Sequence, residues 1–223
     1  MKTVFRLTLW FIGILLMPGL QAATTQGPLV LGAERMDVIT RLLKDKQVGL
    51  VINQTSILEK QQKHLLDALV EKGIQVKKVF APEHGFRGTA DAGEEVKDSR
   101  DLKTGVPIVS IYGKNKKPTA EQLNGLDVIV FDIQDVGARF YTYISTMHYV
   151  MEACAENGVE FIVLDRPNPN DFVDGPIRQK GFESFVGVDP IPLLHGLTVG
   201  ELAWMINSEG WLKSSPDRCK LHI

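Results

Sequence analysis

Short β-branched runs alternate with segments of helical spacing along most of this chain, and that alternation limits the folds open to it. Val48 to Asn53, Ile74 to Phe80, Pro107 to Tyr112, Asp127 to Phe131 and Val159 to Leu164 read as strands. Between them, Met36/Ile39/Leu43, Leu65/Leu66/Leu69, Thr119 to Leu126 and Ile144/Met147/Met151/Cys154 have helical spacing. Gly73 and Asn157-Gly158 are natural helix stops. Strands apolar on both faces and joined through helices predict an α/β fold with a mostly parallel sheet and helices on both sides. Right-handed crossovers then bring every strand's carboxyl end to one edge of the sheet.

That edge carries the polar residues. Asn53 ends the first strand, and Glu83-His84-Gly85-Phe86-Arg87-Gly88 follows the second. Tyr112 ends the third. Asp132-Ile133-Gln134-Asp135-Val136-Gly137-Ala138-Arg139-Phe140-Tyr141 follows the fourth, and Asp165-Arg166-Pro167-Asn168 the fifth. Ligands of open α/β sheets bind in the crevice beyond these ends. Carboxyls, an imidazole, guanidiniums and glycines gathered there make the inventory of a polar catalytic cleft.

Each group has two readings. Glu83, shielded by Phe86, suits a general acid of raised pKa, or it caps a turn. His84 orients Glu83, touches substrate, binds metal or packs against backbone. Asp132 ends a buried strand, where a charge must be paired; it either pairs with Arg139 or serves as a second carboxylate. Asp135 either backs it up or caps the next helix. Arg87, Arg139 and Arg166 each suit bidentate grip on a carboxylate, whether substrate's or the protein's own. Tyr141 and Tyr143 offer a sugar-stacking face or join the core. His148 reads as a packed helical histidine, His195 as a loop residue near the site, and His64 as a surface residue. Lys114, Lys116 and Lys117 read as a solvated loop.

Several classes are excluded or weakened. The chain has no G-x-S-x-G elbow, P-loop, G-x-G-x-x-G or H-E-x-x-H. Residues 1–22 read as a signal peptide: Lys2 and Arg6 precede an apolar run broken by Pro18-Gly19, with Ala22 and Ala23 at the cleavage site. The run is too short to predict a stable membrane span, so the product is expected in the periplasm or secreted. Its removal takes the net charge from −2 to −4, which offers no electrostatic case for nucleic acid. An oxidising compartment permits a Cys154–Cys219 disulfide, although a buried free thiol is the simpler reading of Cys154.

The tail differs in pattern. Gly175 to Val188 reads as a loop or hairpin over the site. Thr198-Val199-Gly200-Glu201 is a capping box opening a helix through Ile206. Leu221 to Ile223 reads as the start of a strand.

Four of these stretches resemble the exo-β-N-acetylmuramidases, the NamZ-type glycoside hydrolases. They are Ala81 to Gly88, Phe131 to Tyr143, Leu164 to Pro169, and His195 to Ala203, in the same order as in the family. The resemblance runs from about Gly32 to the C-terminus. It implies a Rossmann-like catalytic domain, here residues 28–223, and a smaller second domain that this chain largely lacks. It implies release of terminal N-acetylmuramic acid from the non-reducing end of peptidoglycan fragments, with Glu83 as the leading catalytic residue and no cofactor or metal. Beside Glu83, His84 and Asp132 are the expected catalytic partners. Asn53, Arg87, Gln134, Asp135, Arg139, Tyr141, Arg166 and Asn168 are expected to bind substrate, with an arginine on the lactyl carboxylate. A metal-dependent hydrolase using His84, Asp132 and Asp135, or a non-catalytic muropeptide-binding protein, are the competing readings.

Overall fold

The computed structural model describes residues 29–87, 98–213 and 218–223; the expected signal peptide and Gly88 lie outside them. The strands are β1 (Gln47–Ile52), β2 (Ile57–Leu58), β3 (Lys63–His64), β4 (Gln75–Ala81), β5 (Ser99–Arg100), β6 (Pro107–Ser110), β7 (Val128–Asp132), β8 (Glu160–Val163) and β9 (Leu221–His222). The helices are α1 (Met36–Leu42), α2 (Leu65–Glu71), α3 (Ala120–Leu123), α4 (Tyr143–Asn157) and α5 (Val199–Ser208).

Seven strands form one sheet in the order β5-β6-β4-β1-β7-β8-β9, and β2 pairs with β3 in a separate hairpin. All pairings in the main sheet are parallel except β5 with β6. Counting only the parallel strands, the chain begins at the centre, runs outward through β4 and β6, then returns to β7 and runs out the other way. This is the Rossmann strand order, with its topological switch point between β1 and β7.

The alternation of side chains explains why both faces must be covered. Ile129 and Phe131 face a core with Met147, Met151 and Cys154 of α4 and Leu202 and Ile206 of α5. Val128 and Val130 face the opposite core, with Ile39 of α1 and Leu65, Leu66 and Leu69 of α2. Gly158 stops α4 with φ 67° and closes the turn onto Cys154. Thr119 and Thr198 begin α3 and α5 with complete capping boxes.

Two expectations change. His64 is buried rather than superficial: its Nδ1 accepts from Leu66 N at the start of α2, and its Nε2 lies 2.9 Å from Asn53 O. Its edge meets the Phe86 ring. Lys117 is not a solvated loop residue, since its ammonium bridges Glu152 and Glu156 on α4. Cys154 and Cys219 are both buried free thiols. Burial pushes the Cys219 pKa up to about 12 and raises that of Cys154 as well, so neither is a thiolate at neutral pH.

Candidate active site

Glu83 sits in the turn after β4, half-buried at the carboxyl edge of the sheet. Its Oε1 accepts from the Tyr112 hydroxyl at 3.0 Å, and its Oε2 from Thr142 Oγ1 at 2.7 Å. Tyr112 comes just after β6, and Thr142 from the loop joining β7 to α4. Glu83 therefore bridges the two halves of the sheet across the switch point. Burial, and then the adjacent carboxylate, raise the Tyr112 pKa. A hydroxyl donates to a carboxylate and accepts from a carboxylic acid. Both partners thus suit Glu83 in either protonation state.

The turn that presents Glu83 is conformationally unusual. His84 has φ 65° and Gly85 has φ 76°. Left-handed backbone is uncommon for a residue with a Cβ and gathers at functional sites. Arg87 then clamps the end of this turn. Its Nε and Nη2 donate to Asp101 Oδ1 at 3.0 and 2.9 Å, and Asp67 lies 3.5 Å away. Asp101 is bound also by Thr104, and despite its burial these partners hold its pKa below the usual aspartate value. Arg87 is accordingly engaged by the protein's own carboxylates.

Behind Glu83 most of the expected substrate-binding residues are stitched to one another. Arg166 forks onto Asp132, with Nε 2.6 Å from Oδ1 and Nη2 3.1 Å from Oδ2. Asp132 is fully buried, which pushes its pKa up, and the guanidinium opposes that push. Both carboxylate oxygens are occupied, so Asp132 does not present the second carboxylate expected at the substrate face. Its partner is Arg166, not Arg139. Asn53 Oδ1 accepts from Thr55 N and Oγ1, and Thr55 Oγ1 accepts from Gln134 N. Gln134 Nε2 donates to Asp135 O and Pro167 O, both at 2.8 Å. Asp135 Oδ2 accepts from Gly137 N at 2.6 Å and lies 3.3 Å from His195 Nε2, so it caps a turn and holds a buried histidine. Asn168 Nδ2 donates to Leu197 O, and a Cβ on Gly137 would lie 2.1 Å from Asn168 Oδ1. Among the described residues, two atoms in this layer, Asn53 Nδ2 and Asp135 Oδ1, are buried without a hydrogen-bond partner.

Arg139 is half-exposed and donates from Nη1 to Pro176 O at 2.8 Å, tying down the arm that runs from Asp174 to Leu194. That arm carries Phe185 against Tyr112, at 6.3 Å between ring centroids. Tyr141 is exposed beside the site, whereas Tyr143 is buried, which raises its pKa, with the Asn53 and Gln54 side chains opposing.

The structure thus brings Glu83, His84, Tyr112, Tyr141 and Thr142 to one edge and sets Asn53, Asp132, Gln134, Asp135, Arg166 and Asn168 behind it as scaffold. Thr142 went unread in the sequence, and Tyr112 was read only as a strand end. Tyr112's place at the carboxyl end of β6 was the available signal. Thr142 gave none, because its role depends on where α4 begins. Among the described residues, no group of three or more His, Cys, Asp or Glu is placed to hold a metal ion, and no helix is long and apolar enough to cross a membrane.

The family model described as exo-β-N-acetylmuramidase NamZ, N-terminal, matches residues 48–223. Peptidoglycan β-N-acetylmuramidase NamZ of Bacillus subtilis (strain 168) is 53% identical over 170 residues, spanning 75% of this chain and 41% of that protein. Two crystal structures of DUF1343 family proteins from Bacteroides fragilis NCTC 9343 superpose with TM-scores of 0.77 and 0.76. They are 42% and 44% identical, cover 86% of this chain in each case, and are themselves covered to 48% and 50%. The chain therefore spans half or less of the length of these relatives.

Proposed function

The chain belongs to the exo-β-N-acetylmuramidase NamZ family, and from that premise we propose that it is a glycoside hydrolase releasing terminal N-acetylmuramic acid from the non-reducing end of peptidoglycan fragments. The observation that carries this reading is the Glu83 carboxyl, held by two hydroxyls at the switch point of the sheet.

Glycoside cleavage needs a proton on the leaving oxygen as the C1–O bond breaks. Glu83 supplies it: the bonding pair goes to oxygen, and the sugar ring takes on oxocarbenium character. The resulting carboxylate keeps both hydroxyl contacts and, in the second half of the reaction, takes a proton from water as the water oxygen bonds to C1 and displaces the group that had stabilised it. Asp132 is spent on Arg166, so the group that stabilises the anomeric carbon is the substrate's own acetamido oxygen. His84, next to Glu83 in a constrained backbone, contacts the sugar. Tyr141 offers it a ring face. The lactyl carboxylate falls to Arg139, since Arg166 and Arg87 are engaged by Asp132 and Asp101. Asn53, Gln134, Asp135 and Asn168 position the loops that carry these groups. Residues 1–22 direct export, residues 28–223 form the Rossmann-like domain, and the protein acts in the periplasm or outside the cell.

The test is hydrolysis of a chromogenic β-N-acetylmuramide. Glu83→Gln is expected to lower kcat/KM by about 1,000-fold with an unchanged circular dichroism spectrum. Turnover at the wild-type rate in that variant would sink the reading.

A further inference from the structure

The arm from Asp174 to Leu194 carries an aromatic side chain that its own backbone does not require. Ser184 and Gly187 exchange both backbone hydrogen bonds, so Phe185 and Val186 form the tip of a two-residue hairpin. Gly, Asn, Asp, Pro and Ser fill such tips for conformational reasons, none of which an aromatic ring meets. Val186 is exposed, as a tip residue should be, whereas Phe185 turns back and is half-buried.

Three groups meet that ring. Tyr149 of α4 lies nearly parallel to it, at 11° with ring centroids 6.1 Å apart. The Lys116 ammonium, in the loop after β6, lies 4.5 Å from its centroid. Tyr112 meets it at 6.3 Å. These separations lie within the range where aromatic pairs and cation–π contacts attract. The hairpin is also clasped on both sides of its tip. Before it, Arg178 Nη1 lies 2.9 Å from Glu183 Oε1; after it, His148 Nδ1 lies 2.8 Å from the buried Asp189 Oδ1. Arg139 ties the base by donating to Pro176 O and Ile191 O. Phe185 is therefore held in place by both limbs of its own hairpin.

Tyr112 is placed differently. Its hydroxyl donates to Glu83 Oε1, yet the residue stands beyond the end of β6, outside the ladder of the sheet. A ring packed against its side limits the rotamer changes that would draw the hydroxyl away. We propose that Phe185 is a positioning residue for the glycosidase reaction, holding the Tyr112 ring so that its hydroxyl stays on Glu83. The part in catalysis rests on the muramidase reading, whereas the hold of Phe185 on Tyr112 does not. Burial and then the Glu83 carboxylate raise the Tyr112 pKa, so the phenol's own titration reports whether the ring is in place.

The experiment follows that phenol by carbon NMR of the whole chain labelled at tyrosine Cζ, its resonance assigned by its loss in Tyr112→Phe. Phe185→Leu is expected to bring the Tyr112 titration down towards the ordinary tyrosine value. In hydrolysis of a chromogenic β-N-acetylmuramide, the same variant is expected to lower kcat roughly 2- to 10-fold. It should also shift the pH profile of kcat/KM in the same direction as Tyr112→Phe. The double variant is expected to fall no more than about 2-fold below Tyr112→Phe alone, because both act through one hydroxyl. Val186→Ala, at the same hairpin tip, is expected to leave both readouts at wild-type values. An unmoved Tyr112 titration in Phe185→Leu, losses that multiply in the double variant, or the same shifts in Val186→Ala would overturn the proposal. A chain whose Tyr112 titration falls in Phe185→Leu but which releases no sugar supports Phe185 as the holder of Tyr112 and removes the hydrolase assignment.

Discussion

Glu83 has two hydroxyl partners from different elements, and each is separable by mutation. Removing one hydrogen bond to a charged group costs about 1.5–3 kcal/mol, or roughly 10- to 100-fold. Tyr112→Phe and Thr142→Val are each expected to lower kcat by that factor while shifting the pH profile of kcat/KM, which a purely structural role would not move. Asp132 tests the opposite case. Its charge is buried and forked to Arg166, and breaking such a pair costs about 3–5 kcal/mol. Asp132→Asn is therefore expected to show a large fall in urea midpoint. Retention of wild-type stability would show that the pair is not a structural anchor. Neither partner choice was legible in the sequence. Arg139 lies seven positions from Asp132 and Arg166 thirty-four, yet the parallel neighbours β7 and β8 bring the distant one into reach.

At the scale of elements, α5 is the most tightly specified. Thr198 and Glu201 form a capping box, and Asp165 accepts from Thr198 Oγ1 and Gly200 N, both at 2.8 Å. Thr198→Ala is expected to cost about 1–2 kcal/mol, measured by urea unfolding. Gly200→Ala is expected to cost more, because a Cβ there would lie 2.8 Å from Asp165 Cγ. The box was readable because its residues are three apart. The central strands and α4 were readable for a similar reason: their apolar periodicity is local, and Gly158 marks the helix stop. The hairpin of β2 and β3 was not. Its strands have two residues each, too short to establish a period, and the hairpin buries His64 for reasons set by Phe86 and Asn53.

For the molecule as a whole, the far side of the sheet sets acid stability. Glu160 begins β8 and gathers Lys46 at 2.7 Å, His222 at 2.6 Å and Lys220 at 3.8 Å. Burial pushes its pKa up, but Lys46, Lys220 and His222 outweigh that and hold it below the usual glutamate value. A carboxyl depressed in the folded state contributes stability above its unfolded pKa, near 4.3 for glutamate, and loses it as pH falls through the folded value. The wild type is therefore expected to lose thermal stability below about pH 4.3, and Glu160→Gln to lose less over the same interval. Equal acid slopes in the two melting series would refute this.

The left-handed turn at His84 and Gly85 bears on how the chain tolerates variation. A library randomised at position 84 and sorted only for folded protein should favour glycine and asparagine and reject valine and isoleucine, because φ 65° penalises branching at Cβ. Sorted for sugar release, the same library should return to histidine. The gap between the two sequence profiles separates what the backbone requires at this position from what the imidazole does there.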